Sequence, residues 1–251
     1  MPSPTERAIT AYLRRSIAEG RDSERIGPFL ASFSRTSTNP FLNYAIPDDG
    51  ADPTADEVRA LIEGYAARGL RPRLEYLPSC APRVEAALAA AGFVAEGRPA
   101  LMIAGPEREV VPPDGIELLH PAANEELRGL RLVQHEAYAD PDPVDDGSVD
   151  RLRANLEHGA GAILARQVAD QEPVGAGEFT QPIDGVTEIT SIAVRGPWRR
   201  RGIAAAVTAR LLDDARRAGV ETPFLMANEA EARVYARVGF EQIAEVLHIS
   251  R

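Results

Sequence analysis

Apolar and polar residues alternate along the chain with two different periods, and the pattern is clearest in the second half. Alternating or continuous apolar runs predict strands over residues 116–119, 162–168, 174–180, 186–194, 222–227 and 242–249. Apolar residues three or four positions apart predict helices over residues 124–138, 150–158, 203–218 and 229–238. This order of elements predicts an α/β (α+β) fold, with a mixed, mostly antiparallel central sheet and helices on both faces.

The first half is shorter and resembles the end of the second half. Its pattern predicts helices over 5–18, 55–68 and 82–91, and strands over 41–46, 73–77 and 100–104. Residues 74–93 and 225–240 both read as strand, short loop and helix, and both end in Gly-Phe. We therefore expect two related halves produced by an internal repeat.

A segment rich in proline and glycine separates the two halves. Residues 105–115 contain three prolines and begin and end with glycine, a composition that excludes the interior of a helix. This predicts an N-terminal domain over residues 1–110 and a C-terminal domain over residues 111–251.

Composition narrows the possible partners and chemistry. The 251 residues carry a formal net charge of −10, which argues against binding to nucleic acids or anionic membranes. All basic side chains other than histidine are arginines, so a catalytic or phosphate-binding lysine is excluded. Cys80 is the one cysteine, so we expect no metal cluster and a reducing, cytoplasmic location. The sequence shows neither a signal peptide nor an apolar run of membrane-spanning length.

The sharpest local signal is the sequence VRGPWRRRGIA over residues 194–204, between a predicted strand and a predicted helix. Gly202 and Ala204 are small, so the backbone can approach a ligand closely. Free N–H groups and the dipole at the start of a helix suit a pyrophosphate. Three consecutive arginines add positive charge to the turn: Arg199, Arg200 and Arg201. The segment therefore predicts an anion site.

This segment resembles motif A of the GCN5-related N-acetyltransferase superfamily, written Gln/Arg-x-x-Gly-x-Gly/Ala. Arg199, Gly202 and Ala204 occupy its defined positions. Residues 228–240 resemble a second signature of the family, in which an asparagine and a tyrosine lie seven residues apart before Gly-Phe; here these are Asn228 and Tyr235. The resemblance covers residues 116–251.

The resemblance implies that the chain binds acetyl-CoA. It places the pyrophosphate on the backbone of the turn, and the pantetheine arm along the preceding strand as an added strand, with Asn228 contacting the arm or starting the last helix. A backbone N–H on that strand would polarise the thioester carbonyl. The implied cofactor-binding residues are Ile192, Ala193, Val194, Arg199, Arg200, Arg201, Gly202, Ile203, Ala204 and Asn228.

The resemblance also implies catalytic roles. Tyr235 matches the general acid of the family, since a phenol can donate a proton to the departing thiolate. Glu188, on the strand before motif A, is the favoured general base, with Glu178, His135 or a chain of water molecules as alternatives. The acidic segment 140–146 is an open candidate for attracting a cationic acceptor.

The resemblance and the residues together predict an acetyl-CoA-dependent N-acetyltransferase. We expect direct transfer to a primary amine of a small molecule in a ternary complex, by a monomer or homodimer. The N-terminal half carries acids in the turn before its long helix, so we expect it to bind no acetyl-CoA and to wall the acceptor cleft. The alternatives are a non-catalytic acyl-CoA-binding sensor or scaffold, and a structural dimerisation protein with a vestigial site.

Overall fold

The computed structural model describes residues 1–35, 37–139 and 143–251. The chain forms two compact units. The first unit comprises residues 1–101 together with the last residues, 243–251, and the second unit comprises residues 102–242. The predicted boundary near residue 110 lies within the second unit, and the chain ends in the first.

The first unit contains three helices and a six-stranded sheet among the described residues. The helices are α1 (Pro4–Gly20), α2 (Ala55–Ala66) and α3 (Val84–Ala90). The strands are β1 (Asp22–Ile26), β2 (Phe29–Phe33), β3 (Ala45–Pro47), β4 (Arg73–Tyr76), β5 (Val94–Gly97) and β13 (Leu247–Ser250). Their order in the sheet is β1-β2-β3-β4-β13-β5, and among the described residues only β3 and β4 pair in parallel.

The second sheet has seven strands, in the order β12-β6-β11-β10-β9-β8-β7. These strands are β6 (Ala100–Ala104), β7 (Ile116–Leu119), β8 (Gly161–Gln167), β9 (Pro173–Phe179), β10 (Val186–Val194), β11 (Thr222–Ala227) and β12 (Phe240–Glu245). The helices of the second unit are α4 (Asn124–Tyr138), α5 (Asp146–Glu157), α6 (Ile203–Arg217) and α7 (Glu229–Val238). The predicted mixed, mostly antiparallel α/β architecture is confirmed.

The last strand of each half lies in the sheet of the other half. Strand β6, from the end of the first half, lies between β12 and β11, whereas β13, from the end of the chain, lies between β4 and β5. The single strand predicted over residues 242–249 is therefore wrong. The chain leaves the second sheet after Glu245, and Leu247 begins a strand of the first sheet.

Two predictions in the first half also need correction. Strands β1 and β2 were not predicted, because β1 is largely exposed and has no apolar alternation. The strand predicted over 41–46 is shorter, because residues 40–42 form a 3₁₀ turn and β3 begins at Ala45. A side-chain cap from Asn39 to the N–H of Phe41 favours this turn over an extended strand.

The predicted repeat is present, and the two halves are related. In each half a strand, a helix and a Gly-Phe pair follow one another: β4, α3 and Gly92-Phe93, then β11, α7 and Gly239-Phe240. Both glycines have positive φ, 87° and 106°, as residues after a helix C-terminus commonly do. The repeat places the buried Leu88 where the second half has Tyr235.

The core of the second unit explains why its helices lie on both faces of the sheet. Apolar side chains of α4 and α5, including Leu130 and Leu152, are fully buried against β8, β9 and β10. On the other face, α6 packs so closely that a side chain at Gly175 or Gly177 would collide with Ile203 or Val207. Glycine in β9 therefore allows α6, and the turn before it, to lie directly on the sheet.

Candidate active site

The central parallel pair of strands in the second unit separates soon after it forms. Strand β10 pairs with β11 at three positions, from Val186 with Thr222 to Glu188 with Phe224. Beyond Glu188, β10 continues to Val194, and among the described residues it pairs there with β9 alone. One edge of its C-terminal half thus faces a gap between the strands. Such an edge can bind an extended ligand through backbone hydrogen bonds.

The turn after β10 leads directly into an uncapped helix. Gly202 is the N-cap residue of α6 with φ 90°, and among the described residues no side chain caps this helix. A Cβ added at Gly202 would meet a single neighbour within 4 Å, the Cγ atom of Pro113 at 3.8 Å. The N–H groups of the first turn of α6, from Ile203 and Ala204, are therefore available to an anion, and the helix dipole favours negative charge there.

The three arginines of the turn occupy different environments. The Nε atom of Arg199 donates to the carbonyl oxygen of Val194 at 3.0 Å, which folds the turn back onto the end of β10. Arg200 has φ 63°, a left-handed conformation that is uncommon for a bulky side chain. The guanidinium of Arg201 lies 4.6 Å from the ring centroid of Trp198. All three side chains are exposed, so they place positive charge around the start of α6.

A bulge interrupts the same part of β10. The register with β9 shifts between Thr190 and Ala193, and Ser191 has φ 57°. The shift frees backbone groups from the ladder. The buried Gln134 of α4 donates through Nε2 to the carbonyl oxygen of Ser191 at 3.2 Å and to Glu178 at 2.7 Å. Helix α4 thus holds the bulge in place.

Tyr138 provides the second contact between α4 and the bulge. Its hydroxyl group donates to the carbonyl oxygen of Ile192 at 3.0 Å, although 58% of the residue is exposed. Desolvation of the hydroxyl, followed in size by the charges of Glu231 and Glu178, raises the pKa of Tyr138 to about 12. The phenol is therefore a neutral hydrogen-bond donor at physiological pH.

Tyr235 lies on α7, close to Tyr138. Its ring is 8% exposed and makes an edge contact with Phe240, with a centroid distance of 6.3 Å. Desolvation, followed in size by the charges of Glu231 and Tyr138, raises the pKa of Tyr235 well above the ordinary value for a phenol. Two protonated phenols therefore share this part of the unit, and one of them contacts the free edge of β10.

Asn228 starts helix α7, one of the two roles foreseen for it. Its Oδ1 atom accepts a hydrogen bond from the N–H of Glu231 at 3.0 Å, and the carboxylate of Glu231 accepts one from the N–H of Asn228 at 3.1 Å. This reciprocal capping box fixes where the helix begins. Because Tyr235 lies two turns further on, the cap also sets the position of its phenol.

The candidate bases lie on β9, β10 and α4. Glu188 is partly buried, at the last position of β10 that pairs with β11. Its carbonyl oxygen accepts a hydrogen bond from the N–H of Thr180, and its own N–H donates to the hydroxyl of Thr180. Side-chain alternation places Glu188 on the same face as Thr190 and its cross-strand partner Glu178. The carboxylate of Glu178 already accepts hydrogen bonds from Arg131 and Gln134, each at 2.7 Å. The carboxylate of Glu178 is thus held by side chains of α4.

The acidic segment 140–146 and His135 were the remaining candidates for the acceptor site. The segment 140–146 lies partly outside the described residues, because Asp140, Pro141 and Asp142 are not described; Asp145 caps α5 through the N–H of Ser148. His135 is partly buried in the last turn of α4. Within the described ranges, no cluster of three or more metal-binding side chains occurs, and no helix has the length and apolar character needed to cross a bilayer.

The sequence analysis missed three residues of this site: Gln134, Tyr138 and Glu231. The first two lie four positions apart, so they share one face of α4, and this spacing was a usable signal. Their partner, the bulge in β10, has no sequence signature, because its left-handed residue is a serine rather than a glycine.

The second unit thus combines a parallel strand pair that separates, a turn rich in arginine, and a helix with no side-chain cap among the described residues. Residues 126–240 match the model of the Acetyltransferase (GNAT) family. The matched residues include both sequence motifs on which the predicted resemblance rests. A comparison with curated proteins finds no match.

Solved structures share the fold over the whole chain. A GCN5-related N-acetyltransferase from Kribbella flavida is 22% identical, with a TM-score of 0.80 over 98% of this chain and 95% of that protein. A GCN5-related N-acetyltransferase from Sphaerobacter thermophilus is 16% identical, with a TM-score of 0.70 over 89% of this chain and 76% of that one. A conserved protein of unknown function from Staphylococcus epidermidis is 14% identical, with a TM-score of 0.62 over 97% and 98%. At these identities the likeness shows the fold.

Proposed function

We propose that the protein transfers an acetyl group from acetyl-CoA to a primary amine of a small molecule, directly and within a ternary complex. The observation that carries this proposal is the uncapped start of α6, surrounded by arginines and next to the unpaired edge of β10. A diphosphate and an amide-containing arm, the two recognisable parts of coenzyme A, match these two features.

The diphosphate would lie on the N–H groups of Gly202, Ile203 and Ala204. Arg200 and Arg201 would add charge from the solvent side, where both are exposed. The pantetheine arm would then extend along residues 192–194 of β10 as an added strand. An N–H group of this segment would donate to the thioester oxygen and stabilise the negative charge that develops on it.

In the reaction, the amine nitrogen attacks the acetyl carbonyl carbon, the carbon–sulfur bond breaks, and the amine loses one proton. Tyr235 would donate to the departing sulfur. Its raised pKa keeps it protonated at neutral pH, but it also makes proton release harder. A thiolate leaving in the same desolvated region is subject to the same rise in pKa, which narrows the difference between donor and acceptor.

Glu188 would accept the proton from the amine, directly or through water. It lies where β10 and β11 separate, so a substrate in the gap would come within its reach. Glu178 would instead serve the structure, since its carboxylate holds Arg131 and Gln134.

The wider setting follows from charge and composition. A net charge of −10 favours a cationic amine over nucleic acid or a membrane as partner, and the lone buried Cys80 suits the cytoplasm. We place the protein there as a monomer or homodimer that needs no metal. The first unit would bind no acetyl-CoA.

The test is a steady-state assay of CoA release over a panel of small amines, with wild-type protein and Tyr235→Phe. We expect amine-dependent release by the wild type and a large loss of turnover in the variant. Acetyl-CoA binding without release for any amine would contradict the proposal. That result would favour a non-catalytic acyl-CoA-binding sensor or scaffold.

A further inference from the structure

The unpaired edge of β10 presents two backbone carbonyl groups. The backbone N–H of Arg195 donates to the carbonyl oxygen of Val174 at 3.0 Å, so the backbone N–H and C=O groups of Arg195 point towards β9. Backbone N–H and C=O groups alternate in direction along a strand. The carbonyl groups of Val194 and Ile192 therefore point the other way, towards the gap between β10 and β11. These are the groups that an added strand would use.

Both carbonyl oxygens already accept hydrogen bonds from exposed side chains. Tyr138 donates its hydroxyl to Ile192 at 3.0 Å, and Arg199 donates Nε to Val194 at 3.0 Å. The neighbouring carbonyl of Ser191, by contrast, is held by Gln134, whose side chain is 6% exposed and has further partners. The contact from Gln134 is part of the core, whereas the contact from Tyr138 is made at the surface.

We propose that Tyr138 is a positioning residue that competes with the acyl-CoA arm for the carbonyl oxygen of Ile192. This inference rests on the proposed function. A carbonyl oxygen can accept two hydrogen bonds, but the hydroxyl of Tyr138 already takes one of the two acceptor positions of Ile192, at the edge where the arm would lie. In this proposal the hydroxyl moves aside when an amide N–H of the arm binds there, so part of the binding free energy goes into displacing it. Tyr138 thus lowers affinity for acyl-CoA while keeping the bulge in a defined geometry.

The structure gives Tyr138 the freedom to move. It is the last residue of α4, and the next residue, Ala139, has φ 50° and ends the helix. Its side chain is 58% exposed, so rotation costs little packing. A released phenol would remain beside Tyr235, whose pKa it already affects. The residue that leaves the edge would therefore stay within the site.

The experiment compares wild type with Tyr138→Phe by titration calorimetry, using two probes. Acetyl-CoA carries the arm, and adenosine 3′,5′-bisphosphate carries phosphates without the arm. We expect Tyr138→Phe to bind acetyl-CoA about two- to tenfold more tightly, the effect of removing one competing hydrogen bond. Affinity for the bisphosphate should not change. Tyr76→Phe, which removes a buried hydroxyl of the first unit, is the control and should leave both affinities unchanged.

Weaker or unchanged acetyl-CoA binding in Tyr138→Phe would overturn the inference, even though wild-type binding would still support the proposed function. Equal changes for both probes would also overturn it, because they would indicate a general structural effect. If wild type binds neither probe, the proposed function fails and the inference fails with it. Tyr138→Leu, which also lacks the hydroxyl, should repeat the result and guards against a folding defect in one variant.

Discussion

The two halves build the same strand-turn-helix unit, but the helix starts differ. In the second half, α6 begins at Gly202 with no side-chain cap among the described residues, and arginines surround it. In the first half, α2 begins at Thr54, whose side chain accepts from the N–H of Glu57, while Glu57 accepts from the N–H of Thr54. The same backbone architecture thus has no side-chain cap at the helix start in one half, whereas in the other half a capping box satisfies the N–H groups of Thr54 and Glu57.

The two halves also differ in whether a hydrogen bond joins the turns that follow their central strands. In the first half, the N–H of Gly50 donates to the carbonyl oxygen of Cys80 at 2.7 Å, joining the turn after β3 to the turn after β4. No backbone hydrogen bond among the described residues joins the corresponding turns after β10 and β11. We expect capping, closure and the acidic residues together to keep an anion from the first half.

The largest expected effect concerns Tyr235 of the second half, whose position in the first half is occupied by Leu88. Tyr235→Phe should lower kcat by about 10²- to 10⁴-fold, the range for losing a general acid, with the Kd for acetyl-CoA unchanged. Steady-state kinetics and calorimetry measure the two quantities. Equal loss of turnover and affinity would remove Tyr235 from the acid role.

A matched pair of glycines tests the two turns. Gly202→Asp should weaken acetyl-CoA binding on the order of 100-fold, because a carboxylate would stand at the anion site. Gly50→Asp is the control, since Gly50 also has positive φ, 70°, and no neighbour within 4 Å of an added Cβ. Thermal-shift titration with acetyl-CoA should show a loss of stabilisation in the first variant alone. Similar losses in both would show that the turn before α6 is not special.

Removing the cap of α2 tests two possible roles of the cap. It could stabilise the folded protein, or it could keep acetyl-CoA from binding at the start of this helix. Thr54→Ala should destabilise the protein by about 1 kcal/mol, and Thr54→Ser should restore most of that. Chemical denaturation measures the change. We expect no acetyl-CoA site to appear in the first unit, because acidic residues still flank α2. A second site in Thr54→Ala would show that the cap alone distinguishes the two halves.

The smallest expected effect is the pH dependence of stability that comes from His248 on β13. The other exchanged strand, β6, is wholly apolar and has no titratable side chain. Burial, opposed by Glu75 and reinforced by Arg73, lowers the pKa of His248. The unfolded chain therefore binds a proton at higher pH than the folded one, so this stability is present above about pH 6.5 and is lost as pH falls. The slope is at most about 1.4 kcal/mol per pH unit. Denaturation at pH 7 and 5.5 should show a weaker pH dependence for His248→Gln than for wild type; an equal dependence would assign it to other groups.

The starts of α6 and α7 could be predicted from the sequence, whereas the exchange of strands between the two sheets could not. The turn at Gly202 and the helix at Asn228 are local features, in which a small N-cap residue and a capping box act over a few residues. The exchange of β6 and β13 is not local, because an apolar strand of five residues fits the middle of either sheet. The contacts of Tyr138 with β10 were likewise out of reach, since they depend on a bulge that only the packing of α4 defines.

The central claim is that one half of the chain holds the cofactor, at the start of α6. The measurement that tests it most directly is the stoichiometry of acetyl-CoA binding by titration calorimetry, on wild type and on Gly202→Asp. We expect one molecule of acetyl-CoA per chain in the wild type, and binding that is weaker on the order of 100-fold in the variant. Two molecules per chain, or one molecule that still binds to Gly202→Asp with unchanged affinity, would contradict it.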